Sequence, residues 1–131
     1  METIKACPID TALRYIGKKW SIQIIRDLFM GKKRFKDFLN SNPGLSTKVL
    51  STRLKELESL EIINKDVTSG DTVQISYVLT SKGRRLNKVL YELIVFSMHE
   101  CPKEVFGKCC SPKEHLTKAK ELFLKSSSPK R

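Results

Sequence analysis

The amino-acid sequence predicts a mostly α-helical fold with one small β-hairpin. Three observations support this prediction. Apolar residues recur at helical spacing in the segments before residue 60, the pattern alternates between residues 62 and 79, and a helical pattern returns from residue 81. With 131 residues, the chain has the length of one ordinary domain with an appendage and is too short for two independent domains.

The first two helices differ in how apolar they are. Helix one has Pro8 at its start and Gly17 at its end, and its apolar residues at helical spacing are Ile9, Ala12, Leu13 and Ile16. Helix two, from Trp20 to Met30, is too apolar for a surface helix. We therefore expect helix two in the core.

A tight turn separates the next two helices. The third helix has Phe35 and Phe38 on one side and runs into a cluster of turn residues at 40–44. The fourth begins after Ser46 or Thr47, which are both suitable N-caps, and has an apolar stripe of Leu50, Leu54 and Leu57. Its other face is polar and consists of Thr47, Lys48, Ser51, Thr52 and Lys55.

The hairpin and the helices after it complete the prediction. In the second strand Val73, Ile75, Tyr77 and Leu79 point one way, residues 62–67 supply the partner strand, and 69–71 the turn. Thr80 is a suitable cap for one long helix over residues 81–98, which has two apolar stripes and so needs a partner for one of them. Residues 100–113 look irregular, and an amphipathic tail helix follows with Leu116, Ala119, Leu122 and Phe123.

The composition favours a polyanionic partner. Lys and Arg outnumber Asp and Glu by 25 to 14, which gives a formal net charge of +11 and a pI near 9.7. No apolar run approaches the roughly 20 residues that a bilayer span requires, and the N-terminus lacks the layout of a signal peptide. We expect a cytoplasmic protein without a membrane partner. The basic tail helix leaves an anionic membrane surface as an alternative, but the apolar face of that helix is small.

The order of the elements is typical of a winged helix-turn-helix, in which the polar fourth helix faces double-stranded DNA. Small hydroxyls and long cations suit base edges and phosphates. The residues expected to contact DNA are Lys33, Arg34, Ser46, Thr47, Lys48, Ser51, Thr52, Arg53, Lys55 and Lys65. For any single lysine the alternative is a solvated surface charge.

Five stretches of the sequence resemble the HxlR-type winged-helix regulators, which are relatives of the MarR group. They are CPI at 7–9, GKKW at 17–20, KRFKDF at 33–38, PGLSTKVLSTRLKEL at 43–57 and YVLTSKG at 77–83. The resemblance implies a sequence-specific DNA-binding transcription regulator that forms a homodimer through its first and last long helices. The sequence departs from the family pattern in the wing at 68–72, which is short and lacks the usual proline, and in the longer tail after Cys101.

This resemblance suggests a division of the chain into three parts. We expect a winged helix-turn-helix domain with its dimerisation helices over residues 1–105. A cysteine-containing linker and the tail helix follow over 106–125, and a disordered basic end over 126–131.

The four cysteines are too few for a disulfide scaffold. The resemblance implies a redox sensor at Cys7, where a helix N-terminus favours the thiolate, and we hypothesise an intersubunit disulfide between Cys7 and Cys101. The alternatives are inert thiols or a metal site. The metal candidates are His99, Cys101, Cys109, Cys110 and His115, but their spacing fits none of the common zinc patterns.

Other functional classes are less well supported. A winged helix can also be a protein-interaction module of the transcription machinery. A thiol enzyme is disfavoured because the sequence has no CxxC motif, no histidine in a recognisable pairing and no Gly-rich phosphate loop. We therefore expect neither an enzyme nor a cofactor, and the sequence leaves open which small-molecule effector, if any, acts on the protein.

Overall fold

A computed structural model describes residues 3–106 and 112–124 of the chain. The elements are α1 (Pro8–Ile16), α2 (Ser21–Phe29), α3 (Phe35–Ser41), α4 (Thr47–Ser59), β1 (Ile63–Thr68), β2 (Gln74–Leu79), α5 (Ser81–Arg84), α6 (Asn87–Glu100), α7 (Pro102–Phe106) and α8 (Pro112–Leu124). The predicted fold class, mostly α-helical with a β-hairpin, is confirmed. The described residues form two compact units, which meet in sequence between Gly83 and Arg84. The division at residues 105 and 125 stays a prediction.

The core of the first unit is formed by α2, α3, α4 and the start of the hairpin. Its fully buried side chains include Ile24, Ile25, Phe38, Leu50 and Ile63. α2 is thus the core helix that its apolar sequence predicts. α1 follows the predicted bounds, with Pro8 in its first turn, but none of its residues is buried.

Two helices begin at caps that the sequence suggests. The Ser46 hydroxyl accepts a hydrogen bond from the Val49 N–H at 3.1 Å and so begins α4. The turn before α4 contains Gly44 at φ +97°, a left-handed conformation that favours glycine. The Thr80 hydroxyl accepts from the Gly83 N–H at 3.0 Å and caps α5.

The hairpin is antiparallel, and its register pairs Ile63 with Leu79, Lys65 with Tyr77 and Thr68 with Gln74. The side chains of the second strand alternate as predicted, but only those near Leu79, at the end of the hairpin next to the core, are also buried. Leu79 is buried and Tyr77 half-buried, whereas Val73 and Ile75 are exposed. The outer part of the hairpin therefore extends beyond the core of this unit.

The single helix predicted over residues 81–98 is wrong, because the chain turns at 85–86 between α5 and α6. A Cβ atom at Gly83 would lie 2.2 Å from the Ile62 carbonyl oxygen, so α5 lies directly against the backbone at the start of the hairpin. The Thr80 hydroxyl adds a hydrogen bond to the Glu61 carbonyl at 2.6 Å. These contacts hold α5 against the hairpin. The helix is interrupted at residues 85–86, and α6 begins after this turn.

The second unit is a pair of helices, α6 and α8, with the short α7 between them in sequence. Residues 100–113 are predicted to be irregular, and α7 is a correction to that expectation. Leu90 of α6 is buried, as are Ala119 and Phe123 of the predicted amphipathic tail helix. The Asn87 amide donates to the Phe123 carbonyl at 2.6 Å and links the two helices. Among the described residues, no helix is long and apolar enough to cross a membrane.

Candidate nucleic-acid interface

The surface of α4 separates an apolar face from a polar one. Leu50, Leu54 and Leu57 are almost completely buried and fix the orientation of the helix. Because residues three and four positions apart share a helix face, Lys48, Thr52 and Lys55 lie together on the outer side. Thr47 is also exposed, and Ser51 is half-buried. The structure thus places the predicted α4 residues, apart from Arg53, on or beside one solvent-facing surface.

The N-terminal end of α4 is suited to an anion. The first N–H groups of a helix have no partner within it, and the helix dipole adds partial positive charge there. The first turn of α4 contains no acidic side chain. A phosphate that approached this end would meet backbone donors and Lys48 without a competing carboxylate.

A buried polar network lies under the turn that leads into α4. The Asn42 amide donates to the Asp27 carboxylate and to the Phe38 carbonyl, both at 2.8 Å. The Arg26 guanidinium donates to Asp27 and to the Asn42 side-chain oxygen, both at 2.9 Å. Asp27 and Asn42 are almost fully buried, so their polar atoms depend on these partners. The network fixes the turn between α3 and α4.

This network is not predicted from the sequence. Its signals are a carboxylate at Asp27 within an otherwise apolar helix and an amide at Asn42 before the Pro43-Gly44 turn. The partners are 15 residues apart, and nothing in the local pattern pairs them.

The loop before α3 lies beside the hairpin. The Lys33 carbonyl accepts from the Tyr77 N–H at 2.8 Å, and the Arg34 guanidinium donates to the Gln74 side-chain oxygen at 2.6 Å. The side chains of Lys33, Arg34 and Lys65 are exposed. Two of the predicted loop cations therefore lie along the second strand of the hairpin, opposite the strand that has Lys65.

The Arg53 side chain, unlike the exposed cations Lys48 and Lys55 of the same helix, is held by hydrogen bonds within the protein. Only 18% of it is exposed. Its Nε donates to the Lys19 carbonyl at 2.8 Å and its Nη1 to Glu56 at 3.2 Å. The hydrogen bond from Lys18, with the charges of Lys18 and Arg53, lowers the pKa of Glu56 below its ordinary value. Arg53 thus joins α4 to the connection between α1 and α2.

The cysteines of the described residues are free thiols. Cys7 is exposed at the N-cap of α1, and Cys101 is half-buried at the end of α6. Cys109 and Cys110 lie outside the described residues. Within residues 3–106 and 112–124, no group of three or more His, Cys, Asp or Glu side chains is placed to hold a metal ion. His115 packs instead against the Phe106 ring, with 4.9 Å between ring centroids.

Comparison with known proteins identifies the family of this chain. Residues 15–105 match the family model described as HxlR-like helix-turn-helix. An HTH-type transcriptional regulator of Synechocystis sp. is 42% identical over 89 residues, which cover 68% of this chain and 66% of that protein. The regulator YodB of Bacillus subtilis is 38% identical over 96 residues, which cover 72% of this chain and 86% of YodB.

Solved structures agree with the sequence matches. The redox regulator HypR in its oxidised form is 29% identical to this chain, with a TM-score of 0.67. The match covers 71% of this chain and 96% of HypR. Reduced YodB is 38% identical to this chain, with a TM-score of 0.64. The match covers 73% of this chain and 95% of YodB. The chain therefore belongs to the HxlR-like helix-turn-helix family and is a transcriptional regulator of the winged-helix type.

Proposed function

We propose that the protein is a regulator, not an enzyme, and that it binds double-stranded DNA as a homodimer. In this proposal the polar face of α4 enters the major groove, and the loop before α3 and the hairpin contact the flanking backbone. The observation that carries the proposal is the α4 surface: exposed cations and hydroxyls at a helix N-terminus without a carboxylate in its first turn. The formal charge of +11 supports a polyanionic partner.

The proposed dimer is supported by apolar side chains that each unit leaves exposed. In α1, Ile9 and Leu13 are exposed, and in α6 the exposed residues Val89, Leu93 and Phe96 lie on one face. Exposed apolar clusters of this kind favour a protein partner. In a symmetric interface, a second copy of the chain buries the exposed apolar side chains of both helices.

We further propose redox control through Cys7, with Cys101 of the partner subunit as the second thiol. Cys7 is exposed and precedes a helix, so an oxidant can reach it. Disulfide formation removes one proton and one electron from each thiol, and an oxidant such as diamide takes up both. Redox control is supported by the solved structures of the redox regulator HypR in oxidised and reduced forms and of YodB in reduced and diamide-treated forms.

The test is fluorescence anisotropy of a labelled duplex across a salt series. We expect Lys48→Ala to weaken binding and to reduce the salt slope by about one unit for a lost phosphate contact. Lys120→Ala, which removes an exposed lysine from α8, is the matched control and should bind as the unmodified protein does. Absence of binding at low salt, or equal binding by both variants, contradicts the proposed docking.

The same assay tests the cysteines. Treatment with diamide should change the affinity of the unmodified protein and leave that of Cys7→Ser unchanged. A non-reducing gel should show a covalent dimer in the first protein only. An equal response in both proteins contradicts the role of Cys7.

A further inference from the structure

Thr52 lies near the centre of the polar face of α4, between Lys48 and Lys55. Successive residues of a helix are about 100° apart around its axis, so Thr52 lies roughly 140–160° from each of the three buried leucines. The two lysines are one helical turn before and after it and share its face. All three side chains are exposed. Thr52 therefore points away from the core in the middle of the surface that the proposed function assigns to DNA.

The hydroxyl hydrogen of Thr52 is already used within the helix. The hydroxyl donates to the Lys48 carbonyl at 3.0 Å. With the oxygen held at this carbonyl, rotation about the Cα–Cβ bond is fixed and the methyl group takes one position. A ligand at this surface meets the methyl group and the lone pairs of the oxygen, but no hydrogen that Thr52 can donate without breaking this bond.

This chemistry favours a base edge over a phosphate as the partner of Thr52. Phosphate oxygens of DNA only accept hydrogen bonds, so they need donors. The lysines on either side can supply them, because the ammonium groups of Lys48 and Lys55 form no ion pair within residues 3–106 and 112–124. The centre of the face is thus suited to a base, and its flanks are suited to acceptors on the bases or the backbone.

The four bases present different groups in the major groove. Thymine presents a methyl group beside the acceptor O4, whereas cytosine presents an amino donor and no methyl group. Guanine presents two acceptors, which need donors that Thr52 lacks. Adenine presents an acceptor and a donor, and Thr52 can match only the donor. Thymine is the base that offers both a contact for the methyl group and an acceptor for a neighbouring lysine.

We propose that Thr52 is a specificity-determining residue, which recognises the C5-methyl group of a thymine in the bound DNA. The hydrogen bond to the Lys48 carbonyl holds the threonine methyl in place before the DNA arrives, so the contact costs little side-chain entropy. The inference rests on the proposed function and adds to it a preference for thymine at one position of the site.

The experiment uses duplexes that the full, reduced chain enriches from a library of random sequences. Each thymine of an enriched duplex is replaced in turn by deoxyuridine, which lacks only the C5-methyl group, and the affinity is measured by fluorescence anisotropy. One replacement, or two related by the symmetry of the site, should weaken binding by about fourfold, as expected for the loss of one methyl contact.

Three variants assign this effect to a side chain. Thr52→Ser keeps the hydroxyl and loses the methyl group, so it should bind the thymine and deoxyuridine duplexes equally. Thr52→Val keeps a methyl group without the hydroxyl and should retain the difference. The matched control is Thr117→Ser, which should also retain it, because Thr117 is an exposed residue of α8 whose hydroxyl makes the same bond, to the Lys113 carbonyl at 2.9 Å.

The proposal is overturned if deoxyuridine has no effect at any thymine, if Thr52→Ser still distinguishes the two duplexes, or if Thr52→Val does not. Each variant is compared with itself on two duplexes, so a change in its stability does not alter the result. If the library yields no enriched duplex, the proposed function fails. Enriched duplexes without a deoxyuridine effect contradict the role of Thr52 alone.

Discussion

Asp27 and Asn42 hold the turn that leads into α4. A carboxylate and an amide that are almost fully buried cannot exchange their partners for water, so each contact between them and Arg26 holds the turn in one conformation. Removal of one partner leaves the others buried and unsatisfied, which costs more than the net value of the hydrogen bond.

We expect Asn42→Ala to lower the free energy of unfolding by about 1–3 kcal/mol, since it leaves the Asp27 carboxylate and the Phe38 carbonyl without this donor. Asn64→Ala, at an exposed position of β1, is the matched control and should change stability by less than about 0.5 kcal/mol. Urea unfolding of the three proteins measures the difference. Equal midpoints for both variants would show that the network does not stabilise the turn.

The lowered pKa of Glu56 predicts how the stability of the protein changes with pH. Its contacts with Lys18 and Arg53 lower its folded pKa below the ordinary value of 4.5. A lowered folded pKa stabilises the protein at pH values above the unfolded pKa, and this contribution is lost as the pH falls through the folded pKa. The stability advantage of the unmodified protein over Glu56→Gln should therefore be full near neutral pH and shrink on acidification. Thermal unfolding at several pH values tests this, and a constant difference between the two proteins would contradict it.

At the scale of elements, the hairpin and α5 are held to each other through backbone contacts. Thr80 and Gly83 bring the first turn of α5 against the carbonyls of Glu61 and Ile62. A side chain at position 83 has no room, because the nearest obstacle is backbone and cannot rotate away.

We expect Gly83→Ala to destabilise the protein by about 1–3 kcal/mol, despite the better helix propensity of alanine. Gly70→Ala is the control, since a Cβ at Gly70 meets no atom within 4 Å. Differential scanning calorimetry should show a lower Tm for the first variant only. A raised Tm for Gly83→Ala would mean that propensity outweighs the contact with Ile62.

The sequence predicts the elements where the cause is local. The leucine stripe of α4 and the alternation around Tyr77 suffice to place the helix, its polar face and the hairpin. The break between α5 and α6 is not predictable in this way, because it depends on the approach of Gly83 to Ile62. The same holds for Arg53: its position on α4 suggests an outward cation, and only the fold brings it to the Lys19 carbonyl, 34 residues away.

At the scale of the whole molecule, the exposed apolar faces of α1 and α6 are the main feature that a single chain leaves unexplained. Burial of such side chains is worth roughly 25 cal/mol for each Å² removed from water, and a face of several residues can support a stable association. The proposed homodimer accounts for both helices at once.

We expect Phe96→Glu to shift the protein toward the monomer, because a charge at the centre of an apolar interface loses its hydration without a partner. Val73→Glu, at an exposed apolar position of the hairpin, is the matched control and should leave the association unchanged. Light scattering after size-exclusion chromatography gives the mass of each. Two proteins of dimer mass would rule out this face as the interface.

The hydrogen bonds from the Tyr77 N–H to the Lys33 carbonyl and from Arg34 to the Gln74 side chain anchor the second strand of the hairpin, and the turn beyond Gln74 forms its outer segment. Val73 in this segment is exposed, so the outer segment adds little to the core. Its length is therefore nearly free of folding constraints, since doubling a flexible loop costs only about 0.6 kcal/mol. Insertions or deletions around residues 69–72 can accumulate between related proteins and alter what this segment contacts, with little effect on the stability of the domain.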